Sequence, residues 1–213
     1  KAAYPLPQAT GETLTPQCVL EVLHEATHGD AIVTTDVGQH QMWTAQYYSV
    51  NKPRRFITSG GLGTMGFGLG AAIGAQVANP SATVINITGD GCFHMNLNEL
   101  STAAKEELPV IDVVMNNNVL GMVRQWQRLF YDKRFSQTTL DKKTNYDMVS
   151  RGLGADAYTV TTRTELAEAI RTALSRRNVP AVINCIIDSD ATVVPMVPSG
   201  KSIEDPILEI EID

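Results

Sequence analysis

The sequence has 213 residues, which suffices for one α/β domain with a complete hydrophobic core and does not require two. Its 17 Lys and Arg against 23 Asp and Glu give a net charge of −6, and this acidic balance argues against a nucleic-acid-binding protein. Cys18, Cys92 and Cys185 lie far apart without CxxC spacing, so neither a disulfide framework nor a zinc ribbon is expected. No signal or transit segment is recognisable after Lys1, and we expect a cytoplasmic protein.

Helices and strands are predicted to alternate along the chain. Thr15 followed by Pro16 indicates the start of the first helix, and Gly29 indicates its end. Apolar periodicity and turn residues define the other elements. The predicted strands are 31–35, 55–58, 83–88, 110–115, 157–160 and 181–187. The later helices are one that carries Met42 and Trp43, and 65–78, 96–107, 121–130, 146–153 and 164–177.

This alternation predicts the α/β class, with a doubly wound, mostly parallel six-stranded sheet and helices on both faces. Residues 1–188 are expected to form the domain. Residues 189–213 contain three prolines and no apolar periodicity, so they are expected to form a flexible C-terminal tail.

Residues 56–88 contain no charged side chain, which suggests a membrane-spanning helix as an alternative. Seven glycines between residues 60 and 74 and a proline at Pro80 interrupt the segment, so no hydrophobic stretch is long enough to span a bilayer. We therefore predict a buried helix beside a buried strand, and no membrane association. Glycines at every fourth position of 66–74 predict that this helix closely approaches a neighbouring backbone.

Two polar motifs follow neighbouring predicted strands. Gly-Asp-Gly stands at 89–91 and Asn-Asn at 116–117, with the 24 residues 92–115 between them. Because the carboxyl ends of parallel strands meet at one edge of a sheet, Asp90 and Asn117 are expected side by side. One carboxylate, one carboxamide and a backbone carbonyl suit Mg²⁺, which completes its octahedron with water and phosphate oxygens. The sequence thus predicts a magnesium site for a phosphate-bearing cofactor.

Gly-Asp-Gly, a spacer of this length and Asn-Asn together resemble the signature of thiamine diphosphate enzymes. The segments 38–43 (GQHQMW), 60–66 (GGLGTMG) and 121–127 (GMVRQWQ) are similar to the acetolactate (acetohydroxyacid) synthase family, in its catalytic large subunit. The similarity runs from about Tyr4 to Gly200. The subunits of that family have three domains, and this chain resembles only the C-terminal one, which holds the cofactor.

The resemblance implies that the side chains of Asp90 and Asn117 and the carbonyl of Val119 bind Mg²⁺. Thiamine diphosphate is expected to be held largely by backbone N–H groups near helix starts, which favour an anion. The implied cofactor-binding residues are Val37, Gly38, Gln39, His40, Gly63, Met65, Gly89, Asp90, Gly91, Cys92, Asn117, Val119, Gly121 and Met122.

The resemblance also implies the catalytic residues Met65, Met122 and Trp126. Met65 resembles the bulky residue that bends the cofactor, while Gly63 accepts a hydrogen bond from its 4′-amino group. Trp126 and Met122 resemble the pocket of the acceptor substrate, whose apolar wall favours 2-oxobutanoate over pyruvate. The implied reaction decarboxylates pyruvate and joins the product to pyruvate or 2-oxobutanoate, in branched-chain amino acid biosynthesis.

The same resemblance implies partners for the chain. A catalytic glutamate is expected from another domain, in a neighbouring subunit, so a homodimer or tetramer is implied, together with a regulatory subunit. FAD is compatible with the full-length protein but is not expected to bind this domain alone. The isolated chain is expected to be inactive and at most a weak cofactor binder.

Other interpretations were weighed against this one. Residues 24–28 match the HExxH zinc-protease pattern, but the helix ends at once and no third ligand follows, so both histidines are expected at the surface. Residues 61–66 match the dinucleotide fingerprint, but only a weak strand precedes them, so a nicotinamide-dependent dehydrogenase is less favoured. Another thiamine diphosphate enzyme, of the glyoxylate carboligase or pyruvate oxidase type, and a non-catalytic domain of the same fold stay open.

Overall fold

The computed structural model describes residues 11–140 and 143–211, in which helices and strands alternate. The strands are β1 (Ile32–Thr35), β2 (Phe56–Thr58), β3 (Val84–Gly89), β4 (Ile111–Asn116), β5 (Asp156–Val160) and β6 (Ala181–Ile186). The helices are α1 (Pro16–Thr27), α2 (Gln39–Tyr47), α3 (Phe67–Ala78), α4 (Asp90–Asn96), α5 (Leu100–Lys105), α6 (Gly121–Phe130), α7 (Tyr146–Gly152) and α8 (Arg163–Ser175), with a short 3₁₀ turn at Leu97–Glu99. The six predicted strands are confirmed. Tyr4 and the rest of the first ten residues lie outside the described part.

The strands of the described sheet all run parallel, in the order β2-β1-β3-β4-β6-β5. The chain moves outward from β1 to β2 and then returns past β1 to β3. The strand order therefore reverses between β1 and β3, and the loops that follow these two strands leave in opposite directions. Such a point is where doubly wound sheets bind ligands.

Helices cover both faces of the sheet, as predicted. One apolar core joins Ile85 and Ile87 of β3 to side chains of α1 and α8, and the other joins Val84 and Val114 to side chains of α3, α4 and α5. Every residue of β3 is buried, as expected for a central parallel strand covered on both faces. Helix α4, which follows β3 directly, thus starts from a firmly packed strand.

A row of polar side chains crosses the sheet beneath α3. Thr34 Oγ1 donates to Asn86 Oδ1 (2.9 Å), and Asn86 Nδ2 donates to Asp112 Oδ1 (2.7 Å). The other oxygen of Asp112 has no hydrogen-bond partner among the described residues. Burial, reinforced by the charge of Asp36, raises the pKa of the Asp112 carboxyl to about 8. Asp112 is therefore largely protonated at neutral pH.

The predicted glycine stripe on α3 is wrong about which glycine makes the close approach. A Cβ at Gly68 would collide with Asn86 Oδ1 and lie 2.8 Å from Asp36 Oδ2, whereas a Cβ at Gly74 would meet nothing within 4 Å and one at Gly70 only an atom at 3.9 Å. Gly68 also donates its backbone N–H to Asp36 Oδ1 (3.0 Å). The tight contact is with the side chain and backbone N of Asp36, just after β1, and with Asn86 of β3, whereas a Cβ at Gly66 would lie 3.3 Å from Met95 Cβ. Gly68 is two residues, about half a helical turn, from the predicted positions 66 and 70.

The crossover between β3 and β4 begins earlier than the predicted residue 96. Helix α4 starts directly after β3, at Asp90. Its Phe93 packs edge to face on Tyr146 of α7, with 5.4 Å between ring centroids. This contact joins segments distant in sequence, so the local pattern carried no sign of the helix.

The segment 190–196, called here the C-terminal strap, crosses α2 and α6. Trp43 Nε1 donates to the carbonyl of Thr192 (3.2 Å), and Gln125 Nε2 donates to that of Val193 (3.0 Å). Val193 is fully buried. No helix or strand forms after β6 in the part described, which ends at residue 211. The division of the chain at residue 188 stays a prediction.

Across the described residues, every helix is too short or too polar to traverse a lipid bilayer.

Candidate cofactor and metal site

A cleft opens at the carboxyl edge of the sheet, where the loops after β1, β3 and β4 meet. It encloses about 510 Å³, including its open mouth. Every residue predicted to bind the cofactor lines this cleft, except Gly63. Gly63 lies on the loop after β2, where an added Cβ would be 3.7 Å from the Val37 side chain. The sequence analysis missed the apolar part of the wall, which comprises Trp43, Met115, Leu120 and Val123. Trp43 and Val123 lie inside recognised motifs, and Met115 and Leu120 directly precede such motifs, which is the signal that could have found them.

Asp90 and Asn117 lie beside one another because a single turn holds both. Asp90 Oδ2 accepts a hydrogen bond from the N–H of Asn118 (3.0 Å), and Asn117 Oδ1 accepts one from the N–H of Val119 (3.3 Å). Asn118 makes the turn with φ of +60°, a left-handed conformation that asparagine tolerates. Asp90 and Asn117 are only 2% and 7% exposed. The predicted metal-ligating pair therefore shares one buried location.

Gly121 leaves room for this arrangement at the start of α6. A Cβ at this position would collide with Gln39 Oε1 and lie 2.9 Å from Asn117 Nδ2. Asn117 Nδ2 in turn donates to Gln39 Oε1 (3.3 Å). A larger residue at 121 would therefore displace the Gln39 and Asn117 side chains from these positions.

The starts of helices α2, α4 and α6 line the cleft. Their N-cap residues are Gly38, Gly89 and Leu120, and none of these provides a side-chain hydrogen bond to the helix within the described structure. The first N–H groups of a helix have no partner inside the helix, and the helix dipole makes this end attractive to anions. The cleft thus presents backbone donors suited to phosphate oxygens.

His40 lies in the cleft with a ring nitrogen that lacks a partner. The residue is 5% exposed, and its Nε2 atom contacts no hydrogen-bonding group in the described part of the protein. Burial lowers the pKa of the imidazole to about 4, although the charge and backbone of Asp36 act in the opposite direction. The ring is therefore neutral at pH 7. Buried polar atoms are normally hydrogen-bonded, so this nitrogen is expected to meet water or a ligand in the cleft.

Cys92 follows Asp90 on α4 and is also buried. Its thiol donates to the carbonyl of Val37 (3.1 Å), and burial raises its pKa to about 12. The side chain is thus a neutral packing group that ties α4 to the loop after β1.

Met122 joins the cleft to a shallow pocket on the outer surface of α6. This pocket is also lined by Val123, Trp126 and Tyr131. Trp126 is 46% exposed and packs edge to face on Phe130, with 5.7 Å between ring centroids. Met65 lines the cleft itself. The residues predicted to be catalytic therefore lie in the cleft and at its mouth.

The residues present fit a diphosphate and a hard divalent cation. The helix starts offer N–H donors to an anion, while Asp90 and Asn117 offer the carboxylate and carboxamide oxygens that Mg²⁺ accepts. No three His, Cys, Asp or Glu side chains in 11–140 or 143–211 come together as a metal-binding cluster. A cation at Asp90 would thus rely on amide and carbonyl oxygens, water and phosphate.

Comparison with known proteins gives the family. Residues 36–185 match the family described as thiamine pyrophosphate (thiamine diphosphate) enzyme, C-terminal TPP binding domain. The chain is 45% identical over 217 residues to the chloroplastic acetolactate synthase of Arabidopsis thaliana, covering 98% of this chain and 32% of that protein. It is 44% identical over 192 residues to the acetolactate synthase isozyme 2 large subunit of Escherichia coli, covering 90% and 35%. It therefore spans about a third of the length of these curated relatives, and the resemblance to their family is confirmed.

A solved structure supports the fold independently. The thiamine diphosphate-dependent 4-hydroxybenzoylformate decarboxylase of Rhodococcus jostii superposes with a TM-score of 0.79 at 22% identity, covering 89% of this chain and 35% of that one. Fold, motif positions and sequence similarity thus agree, and the chain belongs to the thiamine pyrophosphate enzyme family as a C-terminal TPP-binding domain.

Proposed function

We propose that this chain binds thiamine diphosphate through Mg²⁺ in the cleft and forms the cofactor-binding part of an acetolactate synthase catalytic subunit. The observation that carries the proposal is the turn 117–119, which brings the Asp90 carboxylate and the Asn117 carboxamide together beside three helix starts. Asp90, Asn117 and the Val119 carbonyl would bind the cation, and the cation would bridge to the diphosphate. Backbone N–H groups of Gly38–His40, Gly91, Cys92, Gly121 and Met122 would bind the remaining phosphate oxygens.

When bound, thiamine diphosphate supplies a carbon nucleophile and an electron sink for the decarboxylation of a 2-oxo acid. The chain's own residues bind and orient it. Met65 and the apolar wall at Leu120 and Val123 would exclude water from the reacting end.

Met122 and Trp126 are proposed to contact the acceptor substrate, pyruvate or 2-oxobutanoate. Their pocket adjoins the cofactor cleft and is largely apolar, which suits an alkyl group. The added methylene of 2-oxobutanoate would contribute about 1–3 kcal/mol in such a pocket. The implied pathway is branched-chain amino acid biosynthesis, and a cytoplasmic location stays part of the proposal.

The rest of the catalytic subunit is proposed to supply what this chain lacks. The relatives are about three times longer, so further domains, including the source of a catalytic glutamate, belong to the proposed complete protein. A homodimer or tetramer with a regulatory subunit follows from the same analogy. FAD, if the complete protein contains it, is assigned to those other domains.

Calorimetric titration of the chain with thiamine diphosphate and Mg²⁺ tests the site. We expect measurable, weak binding that Asp90→Ala abolishes, because the cation loses its carboxylate. Asp30→Ala is the matched control, since it removes an exposed carboxylate that pairs with Lys52 (2.6 Å), and it should leave the heats unchanged. Equal heats for the unsubstituted chain and Asp90→Ala would refute the site.

A non-catalytic domain of the same fold is the second candidate, because the chain covers only a third of its relatives. Adding the missing domains and assaying acetolactate from pyruvate separates the two. Binding of the cofactor without acetolactate formation would favour the second candidate. Binding of NADH in place of thiamine diphosphate would instead indicate a dehydrogenase.

A further inference from the structure

A row of buried carboxamides connects the C-terminal strap to the proposed metal site. Asn117 Nδ2 donates to Gln39 Oε1 (3.3 Å), Gln39 Nε2 donates to Gln125 Oε1 (2.9 Å), and Gln125 Nε2 donates to the carbonyl of Val193 (3.0 Å). Asn117, Gln39 and Gln125 are at most 7% exposed. The row therefore runs through the interior, from the strap to the side chain proposed to bind the cation.

Backbone groups of the strap fix the direction of this row. A carboxamide has an acceptor oxygen on one side and a donor NH₂ on the other, so it can be flipped unless its neighbours discriminate. Val193 contacts Gln125 with both kinds of group, because its N–H donates to Oε1 (2.9 Å) while its carbonyl accepts from Nε2. The carbonyl of Ala191 likewise accepts from Gln39 Nε2 (2.9 Å). Flipping either glutamine would place its oxygen against a carbonyl oxygen and its NH₂ against another N–H donor.

The fixed direction determines which atom Asn117 offers to a cation. Its NH₂ group is held against Gln39 Oε1, so Oδ1 is left on the other side, towards the turn beside Asp90. A cation needs the oxygen, and the NH₂ group would repel it. We propose that Gln125 is a positioning residue, which orients the metal-ligating oxygen of Asn117 through Gln39 and the C-terminal strap. This inference rests on the proposed function.

Anchoring of the strap does not by itself explain the row. Asp190 pairs with Arg124 (3.3 Å) and Arg128 (2.6 Å), and Gln46 Nε2 donates to the carbonyl of Val194 (3.4 Å). These contacts hold the strap from α6 and α2 without touching the row. Gln125 also pairs with the N–H and the carbonyl of buried Val193, but those two hydrogen bonds do not require its contact with Gln39, which continues the row towards Asn117. The paired amides therefore determine which side of the Asn117 carboxamide faces the proposed cation.

The Mg²⁺ affinity of the 213-residue chain, measured by calorimetry at saturating thiamine diphosphate, tests the inference. We expect Gln125→Met, which keeps the side chain's length, to weaken Mg²⁺ binding about 10-fold, as loss of an outer-sphere partner does. Gln46→Met is the matched control: it removes a strap hydrogen bond of similar type, outside the row, and should leave the affinity unchanged. Equal losses in both variants would overturn the inference.

Asn117→Asp separates orientation from mere structure. A carboxylate presents oxygen on both sides, so a metal no longer depends on the direction of the row. With Gln125 present, Gln39 Oε1 opposes the new carboxylate. Gln125→Met removes one of the two acceptors that hold Gln39 Nε2, the other being the Ala191 carbonyl, so Gln39 turns its NH₂ towards the carboxylate more easily. We therefore expect Gln125→Met to leave Mg²⁺ affinity unchanged or raised in the Asn117→Asp background. The same 10-fold loss in both backgrounds would show a structural role only.

Two further outcomes are distinguished from a failure of the inference: no binding by the unsubstituted chain, and a variant that does not fold. If the unsubstituted chain binds no Mg²⁺ and thiamine diphosphate, the proposed function itself fails. If Gln125→Met does not fold, hydrogen exchange of side-chain amides in the unsubstituted chain decides: the NH₂ groups of Gln39 and Gln125 should exchange much more slowly than that of an exposed asparagine such as Asn51. Exchange as fast as at Asn51 would overturn the inference.

Discussion

The three helices that begin at the cleft differ in their first turns from α1, α7 and α8, which begin elsewhere in the molecule. Helices α1, α7 and α8 each start with a side-chain cap, in which Thr15, Asn145 and Thr162 accept hydrogen bonds from backbone N–H groups at 3.0–3.2 Å. At the cleft, α2, α4 and α6 start without such a cap in the described structure. A cap satisfies a donor locally and stabilises a helix by about 1 kcal/mol. The cleft helices lack this cap, as α3 and α5 also do, but at the cleft the uncapped donors lie where the proposed diphosphate would bind.

Gly121 gives the largest expected effect on this comparison. Gly121→Ala should weaken thiamine diphosphate and Mg²⁺ binding by about 100-fold, because its Cβ displaces both Gln39 and Asn117. The control is Gly74→Ala on α3, whose Cβ meets nothing, and it should leave binding intact while stabilising the fold by about 0.5–1 kcal/mol. Calorimetry measures the binding affinity of each variant, and thermal unfolding measures its stability. If Gly121→Ala binds thiamine diphosphate and Mg²⁺ as tightly as the unsubstituted chain, the geometry at the start of α6 does not determine binding, and the comparison fails.

The next largest effect is expected at Asp112, in the polar row beneath α3, and it concerns the pH dependence of stability. Its folded pKa, about 8, exceeds the ordinary 3.8, so the folded state keeps a proton that the unfolded state releases, and stability should fall as pH rises from about 4 to about 8. Asp112→Asn should remove this slope and stabilise the fold by roughly 3 kcal/mol at pH 9, after the cost of one unpaired NH₂ group. Urea unfolding across this pH range measures it.

The control for Asp112 is Asp30→Asn, which changes an exposed carboxyl and should keep the slope of the unsubstituted chain. At pH 4, Asp112→Asn should bring no gain. An unchanged slope in Asp112→Asn would mean that this carboxyl is ionised in the folded protein.

The smallest effect is expected at a capped helix far from the cleft. Thr162 forms a capping box with Glu165, in which each side chain accepts from the other's backbone N–H (3.2 Å in both directions). Thr162→Ala should lower the free energy of unfolding by about 1 kcal/mol and leave cofactor affinity unchanged. Chemical denaturation and titration of the same sample measure both. If Thr162→Ala weakened cofactor binding, the capped helices away from the cleft would not be independent of the helices that begin at the cleft.

The sequence could predict the parts of this molecule that local chemistry determines. Asp90 and Asn117 each follow an apolar strand, and parallel pairing brings strand ends together whatever the rest of the sheet does. The cap at Thr15 and Pro16 is equally local, and it starts α1 where expected. The family resemblance depended on these same short segments.

Features that depend on distant contacts could not be predicted in this way. Helix α4 contains Gly91 and lacks apolar periodicity, and its Phe93 packs on Tyr146 of a later helix. Gln39 and Gln125 resemble ordinary polar residues of two helices, and only the position of the strap makes them partners. The placement of β6 between β4 and β5 is likewise set by tertiary packing.

The position of the bound metal tests the central claim most directly. Crystals of the chain grown with thiamine diphosphate and Mn²⁺ in place of Mg²⁺ would locate the ion by its anomalous scattering. We expect one peak within bonding distance of a carboxylate oxygen of Asp90 and of Asn117 Oδ1, with the diphosphate on its open side. A peak elsewhere, or a cofactor bound in the cleft with no metal at Asp90 and Asn117, would contradict it.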